Sequence, residues 1–389
     1  MTNRIVIASS ARTPFTRAHK GELKDTRPDT MAAHVIKAAI DRVPGLKMED
    51  IEDVVLGCAM PEGEQGMNVA RIAALLAGLP DTVSAMTVNR FCSSGVQSIA
   101  MVAQAIQAGQ YEVGIAGGCE TMTMVPMGGN KVSANPELME KHPEVYVTMG
   151  ATAEKVAARF NVSREEQDVF AANSQRKATE AREKGLFKDE IAPITVTFYD
   201  DAGKPKQMLV SDDTIIRADT TLEGLQKLKP AFDSKGTVTA GNASPLTDGA
   251  AATVVMSEAK AKALGVKPLG YFIDFAVAGV PPDIMGIGPV PAVRKLLAKN
   301  KLTVKDIDVF EVNEAFAVVT EKVIRDLGLD RAKVNVNGGS IALGHPIGAT
   351  GAMLIGTAID ELERSGGRYA LVTMCAAGGM APAIILERV

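Results

Sequence analysis

Tryptophan is absent from this 389-residue chain, aromatic residues make up only 4% of it, and cysteine and histidine occur four times each. The four cysteines, Cys58, Cys92, Cys119 and Cys375, show neither CxxC spacing nor the density of a disulfide-stabilised secreted domain. This usage predicts reduced thiols in a cytoplasmic protein. No metal-ligand spacing occurs either, and we predict no metal site.

Clustered positive charge and long apolar runs are also missing. The net charge is −4, from 42 Lys and Arg against 46 Asp and Glu, and no basic run offers a footprint for a phosphate backbone. Nucleic acid is therefore not expected as a partner. No apolar run reaches the roughly 18 residues of a membrane span. The N-terminal residues enter an apolar strand without the basic and apolar regions of a signal peptide, so we expect no membrane span.

Strand and helix patterns alternate through the first part of the chain. Apolar runs at Arg4–Ser9, Ile51–Ala59 and Glu112–Gly118 are separated by helical spacing at Thr30–Arg42 and Asn68–Ala77. This alternation is typical of an α/β fold with a largely parallel sheet covered on its faces. The chain is also long enough for more than one hydrophobic core.

The second part of the chain repeats the first. A single offset of 256 positions places Asp50 on Asp306, Gly95 on Gly351 and Cys119 on Cys375, and it superimposes strands and one helix in the same order. We therefore predict two similar halves related by a pseudo-two-fold axis. The predicted organisation is a first half of residues 1–120 with 243–265, an inserted loop domain of residues 121–242, and a second half of residues 266–389. Within the insertion, Asp200–Lys229 is expected to be irregular.

Cys92 lies in the stretch VNRFCSSG, which runs into the nearly uncharged helical segment Val96–Ile106. A helix of this composition is expected to be buried on all sides. A thiol at its start meets unpaired backbone N–H groups, which tend to lower the pKa of the thiol and make it a nucleophile. The alternative is a buried structural cysteine, and partners elsewhere in the chain decide between the two.

The second half offers such partners. His345 lies in a glycine-rich loop three positions before Gly348, which is the point equivalent to Cys92, so the pseudo-two-fold axis predicts that imidazole and thiol lie close together. An imidazole beside a thiol can take its proton. Asn313 follows an apolar strand, where α/β sheets place functional groups, although a helix N-cap is an equal alternative for it. Cys375 also follows a strand.

Four motifs in this order, VNRFCSSG, NEAFA, GGSIALGHPIGATGA and TMCAAGGM, resemble the thiolase family, and the resemblance extends from Arg4 to Val389. Residues 10–15 and 239–244 fit the family as well. The resemblance implies a duplicated α/β fold of five layers, αβαβα, with two mixed sheets around buried helices and a loop domain inserted in the first half.

The resemblance also implies a reaction. Coenzyme A cleaves a 3-ketoacyl-CoA into acetyl-CoA and a shortened acyl-CoA, as in fatty acid β-oxidation, through an acyl-cysteine intermediate. Cys92 matches the acylated nucleophile, His345 the group that activates it and Cys375 the acid/base. Asn313 matches the residue that holds a water in the enolate hole together with His345. The backbone N–H groups of Cys92 and Ala377 match the second anion hole.

Several positions depart from the family pattern. Ala377 stands where glycine is common, and a modest change of geometry is expected there. Ser244 matches the CoA-pocket serine, although Pro245 follows it where some members have glycine. Thr148 stands where short-chain biosynthetic members usually have histidine, which favours a degradative member with a broad substrate range.

Two other functions stay open on the sequence: an acetyl-CoA C-acetyltransferase acting on acetoacetyl-CoA, and a non-catalytic acyl-CoA or lipid carrier. Presence of all the reacting residues argues against the carrier. The expected partners are acyl-CoA and CoA as substrates, with no permanently bound cofactor. A homodimer or tetramer is expected, alone or as a subunit of a β-oxidation complex.

Overall fold

Strands and helices alternate along most of the chain in the computed structural model, which describes residues 4–199 and 202–389. The strands are β1 (Ile5–Arg12), β2 (Thr16–Arg17), β3 (Asp53–Gly57), β4 (Ser84–Val88), β5 (Val113–Thr121), β6 (Ile194–Tyr199), β7 (Pro205–Val210), β8 (Thr247–Ser257), β9 (Gly270–Gly279), β10 (Val309–Val312), β11 (Tyr369–Thr373) and β12 (Met380–Arg388). The helices are α1 (Pro28–Asp41), α2 (Val69–Leu76), α3 (Ser94–Gln107), α4 (Pro136–Lys141), α5 (Met149–Phe160), α6 (Arg164–Glu183), α7 (Leu222–Gln226), α8 (Glu258–Leu264), α9 (Pro289–Lys299), α10 (Ala317–Leu327), α11 (Ser340–Leu343) and α12 (Thr350–Ser365).

Each half contributes one set of strands in the same spatial order. The order is β1-β8-β5-β3-β4 in the first half and β9-β12-β11-β10 in the second. Strands β3, β4 and β5 run parallel, as do β10 and β11, whereas β8 and β12 run antiparallel to their neighbours. The sheets are thus mixed, and the expectation of a largely parallel sheet was wrong. A short antiparallel pairing of β1 with β9 joins the two sets.

The layers follow from which faces are apolar. Helices α1 and α2 cover the outer face of the first half-sheet, and α9 covers the outer face of the second. Between the two half-sheets lie α3 and α12, whose apolar residues share one buried cluster with the inner faces of both sheets. This arrangement is the predicted order of five layers. The N-terminal ends of the two central helices are therefore buried between the half-sheets.

Backbone meets backbone where the two central helices cross. A Cβ atom added to Gly95 at the start of α3 would lie 2.7 Å from the Ala352 backbone N, and one on Gly351 would lie 2.5 Å from the Val96 backbone N. Only glycine permits this approach. Because Gly95 and Gly351 are equivalent under the 256-residue offset, their contact marks the pseudo-two-fold axis.

The ungapped offset of 256 residues does not hold for the elements between β10 and α12. It would place α2 on residues 325–332 and β4 on residues 340–344, but α10 ends at Leu327 and residues 340–343 form α11. The counterpart of β4 is an isolated parallel bridge of Val334 with Phe310. Only four residues separate β10 from α10, against eleven between β3 and α2. The second half thereby gains a longer loop, residues 335–349, in front of α12.

Part of the segment expected to be irregular is regular. Strand β7 and helix α7 fall within Asp200–Lys229, and β7 pairs with β6 in a two-stranded antiparallel sheet. Ile194, Val196 and Val210 are buried in the outer core of the first half. The short alternation of apolar and polar residues in this region is the strand signal. Asp200 and Asp201 lie outside the described residues.

Candidate active site

Cys92 is held by a tight turn just before α3. Phe91 adopts a left-handed backbone conformation with φ of +46°, which is uncommon for a residue other than glycine. The Asn89 side chain stabilises the turn by accepting from the Phe91 N–H at 2.8 Å and donating to the Ala59 carbonyl at 3.0 Å. The Ser94 hydroxyl closes the turn by donating to the Phe91 carbonyl at 2.7 Å. Cys92 thus precedes the N-cap residue Ser93, and 8% of it is exposed.

The surroundings of the Cys92 sulfur come from both halves. The backbone N–H groups of Cys92 and Ala377 act to lower the pKa of the Cys92 thiol, and the charge of an ionised Cys375 acts to raise it. Burial nevertheless dominates and raises the pKa of the Cys92 thiol, with the Cys375 charge acting in the same direction. The expectation of a lowered pKa was wrong, because the helix-end donors are outweighed by the loss of water around the thiolate.

Asn313 and Cys375 follow neighbouring parallel strands, β10 and β11, and the Asn313 N–H donates to the Thr373 carbonyl at 3.0 Å. The Ser340 hydroxyl donates to Asn313 Oδ1 at 2.6 Å, which leaves the amide nitrogen facing His345 Nε2 at 3.4 Å. Asn313 is therefore oriented by the start of α11. The Cys375 thiol is fully buried, and burial raises its pKa to about 12.

His345 is fixed on both sides of its ring. The Thr350 hydroxyl donates to the Pro346 carbonyl at 2.9 Å, so its oxygen accepts from Nδ1 of His345 at 2.7 Å. This pattern assigns the proton to Nδ1 and leaves the Nε2 lone pair facing Asn313. Burial lowers the pKa of His345 to about 4. At neutral pH the imidazole is consequently an uncharged base.

Ser244 lies beside the chain that follows Asn313. Its hydroxyl donates to the Ala315 carbonyl at 3.1 Å, and Ala243 forms an antiparallel bridge with Phe316. The Phe316 ring meets the half-exposed Phe232 of the insertion edge-on at 5.9 Å between centroids. Phe316 and Cys375 belong to one apolar cluster. An apolar wall thus extends from the Cys375 thiol to the surface at Phe232.

Two buried carboxylates at strand ends were given no role from the sequence. Glu120, near the end of β5, accepts hydrogen bonds from Ala59, Met60, Gln65 and Gly348. Glu314, next to Asn313, accepts from Ser174 of α6 at 2.6 Å, from Asn335 and from the Ile341 N–H. The available signal was an acidic residue near the carboxyl end of an apolar strand, Glu120 within the last residues of β5 and Glu314 two residues after β10.

The predicted residues therefore form two adjoining groups. Cys92, Cys375 and Ala377 surround the buried sulfur, and Asn313 and His345 face one another through Nδ2 and Nε2. The Ser93 hydroxyl, which donates to the Met374 carbonyl at 3.4 Å, ties the Cys92 turn to the end of β11. Such a constellation of thiols, imidazole and amide suits acyl transfer.

The chain belongs to the thiolase family. The family model described as the thiolase N-terminal domain matches residues 5–259, and the thiolase C-terminal domain matches residues 266–388.

Individual relatives match over nearly the whole length. The chain is 51% identical to a 3-ketoacyl-CoA thiolase of Bacillus subtilis (strain 168) over 386 residues, covering 98% of each chain. It is 46% identical to the peroxisomal 3-ketoacyl-CoA thiolase B of Rattus norvegicus, covering 98% of this chain and 90% of that protein. The solved structure of an acetyl-CoA acetyltransferase from Bacillus anthracis is similar with a TM-score of 0.91 and 41% identity, over 100% of this chain and 99% of that one.

Two further findings concern residues 4–199 and 202–389 only. None of their helices combines the length and the apolar character needed to cross a membrane. No group of three or more His, Cys, Asp or Glu side chains within them is arranged to hold a metal ion.

Proposed function

We propose that this thiolase cleaves 3-ketoacyl-CoA with CoA, releasing acetyl-CoA and an acyl-CoA shortened by two carbons, as an acetyl-CoA C-acyltransferase of fatty acid β-oxidation. The observation that carries the proposal is the Cys92 turn, with its positive φ at Phe91, tied through Ser93 to the segment that leads into Cys375, together with the facing pair of Asn313 and His345. The identity of 51% with a 3-ketoacyl-CoA thiolase supports the choice of reaction.

In the first step, His345 takes the proton of Cys92 through Nε2, and the thiolate attacks the 3-keto carbon. Because the Cys92 thiol and the His345 imidazole are both neutral before substrate binds, the proton moves between them only when substrate is present. The oxyanion that forms accepts from the backbone N–H groups of Cys92 and Ala377. A preorganised donor of this kind is typically worth about 3 kcal/mol of barrier.

Breaking of the bond between carbons 2 and 3 then leaves an acyl group on Cys92 and the enolate of acetyl-CoA. The enolate oxygen is stabilised by His345 and by a water held by Asn313. Cys375 donates its proton to the enolate carbon, and the resulting thiolate takes the proton of the incoming CoA. Attack of the CoA thiolate on the acyl group releases the Cys92 thiolate, which takes its proton back from His345, so all protons are accounted for.

CoA acts as a co-substrate, without a permanently bound cofactor. The insertion and the segment around Ser244 hold its pantetheine arm along the apolar wall of Phe232 and Phe316. Because the Ser244 hydroxyl donates to Ala315, its oxygen is free to accept from a pantetheine amide.

A broad chain-length range follows from the exposed Thr148 at the start of α5, in place of the histidine of short-chain biosynthetic members. The alternative, acetyl-CoA C-acetyltransferase activity confined to acetoacetyl-CoA, is favoured by the similarity to the Bacillus anthracis structure. A non-catalytic carrier is the remaining alternative.

We further propose a homo-oligomer, with a dimer as the smallest unit, in the cytoplasm. Strand β4 is a sheet edge, and Met67, Leu75, Leu76 and Met86 near it are exposed, Met67 by 93%. An open edge with such neighbours is a ready surface for a second copy. The unpaired cysteines fit a reducing compartment.

Thiolysis rates with 3-ketoacyl-CoA substrates from four to sixteen carbons test the proposal. We expect turnover across the series and loss of it in Cys92→Ser. Turnover of the four-carbon substrate alone would favour the acetyltransferase. Binding of CoA esters without any turnover would favour the carrier.

A further inference from the structure

Glu120 connects three segments of the chain through a single carboxylate. Only 1% of it is exposed. Oε2 accepts from the Ala59 N–H at 2.8 Å and from the Gly348 N–H at 2.9 Å. Oε1 accepts from the Met60 N–H at 3.2 Å and from Gln65 Nε2 at 2.7 Å. One side chain of the first half therefore binds the end of the loop that carries His345.

The donor set determines the charge of this group. Four N–H groups point at its two oxygens, and the Cys58 thiol adds a fifth, weak donor at 3.8 Å from Oε1. A protonated carboxyl would direct its own O–H against one of these donors. Burial raises the pKa of Glu120, and the hydrogen bonds from Ala59, Gln65, Met60 and Gly348 act in the opposite direction. The ionised form alone satisfies all of these donors, and charge-assisted hydrogen bonds of this type are stronger than neutral ones.

Gly348 is held by backbone packing and by its hydrogen bond to Glu120. A Cβ atom there would lie 2.6 Å from both the Cys119 and the Gly57 carbonyl oxygens, so the loop rests on bare backbone at the end of the first half-sheet. The hydrogen bond from the Gly348 N–H to Glu120 is the polar contact that fixes the position of Gly348 relative to that sheet. His345 is only three residues away, and Thr350, which fixes its ring, is two residues beyond Gly348.

The same carboxylate acts on the nucleophile. Its partner Ala59 also accepts from the Asn89 side chain, which shapes the turn of Cys92. Its negative charge is among the influences that raise the pKa of the Cys92 thiol, after burial and Cys375. Glu120 thus contacts the supports of both the thiol and the imidazole, without being placed to touch substrate.

We propose that Glu120 is a positioning residue whose ionised carboxylate holds the His345 loop against the Cys92 turn. This role rests on the proposed function, because it presumes that His345 and Cys92 exchange a proton. A misplacement of about 1 Å at such a site is enough to slow a reaction by a factor on the order of 10².

Two variants separate position from charge. Glu120→Gln removes the charge and turns an NH2 group towards N–H donors, so we expect kcat to fall about 10- to 100-fold with little change in KM. The midpoint of Cys92 alkylation by iodoacetamide against pH should also move to lower pH. Glu120→Asp keeps the charge but shortens the reach, so kcat should fall while the alkylation midpoint stays near that of the wild type.

Asp168→Asn is the matched control. Asp168 is an equally buried carboxylate that accepts from Arg164 at 2.7 Å and Asn242 at 2.9 Å, but it has no bond to the His345 loop. It should lower thermal stability without moving the alkylation midpoint. Glu120 variants that lose stability like Asp168→Asn, yet keep kcat and the alkylation profile of the wild type, would overturn the proposal. If Glu120→Gln does not fold, an unchanged kcat in Glu120→Asp overturns it.

The alkylation measurement needs no turnover. If the wild type lacked thiolase activity, the proposed function would fail, whereas an unshifted alkylation midpoint in Glu120→Gln would count against the charge of Glu120 alone. The two failures are therefore distinguishable.

Discussion

Equivalent positions in the two halves carry different chemistry. The 256-residue offset pairs Gly57 with Asn313, Asn89 with His345, Cys119 with Cys375 and Cys92 with Gly348. In the first half, three of these positions serve structure: Gly57 permits close packing, Asn89 shapes a turn and Cys119 is fully buried. In the second half, the three counterparts are those to which we assign roles in the reaction.

The difference teaches how a duplicated fold builds one site. Both halves end their strands and start their central helix at the same place, so either half offers the scaffold. In the proposed reaction, the first half supplies the nucleophile, and the second supplies the base, the amide and the second thiol. Gly348, the counterpart of Cys92, has no room for a side chain because its backbone packs against the first half. The two pseudo-symmetric halves therefore form one site, because only the first half has a cysteine at this position.

The largest expected effect comes from exchanging the paired thiols for alanine. Cys375→Ala should lower kcat by about 10³-fold, as expected for loss of a general acid/base, with little loss of stability. Cys119→Ala should cost roughly 1 kcal/mol of unfolding free energy and leave kcat nearly unchanged. Steady-state thiolysis and urea denaturation measure both. Equal activity losses in the two variants would remove the distinction between the halves.

Asn313 and Gly57 form the next comparison. Asn313→Ala should reduce kcat by about 10²-fold, because the donor of the enolate hole is lost. Gly57→Ala should cost about 1–3 kcal/mol of stability, since the new Cβ would lie 2.6 Å from Ser94. Thermal unfolding alongside kinetics tests this. A Gly57→Ala variant as stable as the wild type would contradict this close contact between the end of β3 and the start of α3.

A smaller effect is expected at Thr350, the counterpart of Ser94. Thr350→Val leaves the Nδ1–H of His345 without its partner, and loss of one such hydrogen bond corresponds to about a tenfold fall in kcat. Thr350→Ser keeps the hydroxyl and should restore most of the activity. The kinetics of the pair provide the test, and a Ser variant as impaired as Val would assign the effect to packing of the methyl group instead.

An effect on stability alone, without an expected change in activity, concerns the far part of the central helices, where Asp360 of α12 matches the exposed Gln104 of α3. Burial, together with the charge of Glu190, raises the pKa of Asp360 to about 7. A raised carboxyl pKa means that the fold favours the protonated form, so stability falls as pH rises from about 4 to about 7.

Asp360→Asn should remove this loss. The variant should match the wild type near pH 4 and become more stable than it as the pH rises to 7, remaining so above that. Asp189, Glu363 and Arg364 also act on Asp360 and stay unchanged in this variant. Melting temperatures from pH 4 to pH 8 measure the effect, and a constant difference across this range would contradict it.

The sequence was sufficient for the α/β class, the duplication and the family, because these depend on local periodicity and on motifs. It was not sufficient for the direction of the Cys92 pKa shift. The effect of a helix N-terminus on a thiol pKa depends on neighbouring residues and can be predicted from the sequence. The effect of burial depends on every segment that packs around the sulfur, and these segments are distant in the chain. Glu120 was missed for a similar reason, since its partners Met60 and Gly348 lie 60 and 228 residues away in the chain.

The register of the repeat shows the same limit. A constant offset was inferred from matches at both ends, but the residues between β10 and α12 are redistributed into the His345 loop. Insertions and deletions that cancel leave no trace in an ungapped alignment. The placement of Asn313 beside His345, 32 residues apart, needed the folded chain as well.

The central claim is that the first half supplies one nucleophile, Cys92, to chemistry carried out by the second. Mass spectrometric mapping after incubation with a 3-ketoacyl-CoA in the absence of free CoA tests it most directly. The account predicts one acyl group, on the peptide that contains Cys92, with Cys375 unmodified. An acyl group on Cys375, or none on either cysteine, would contradict it.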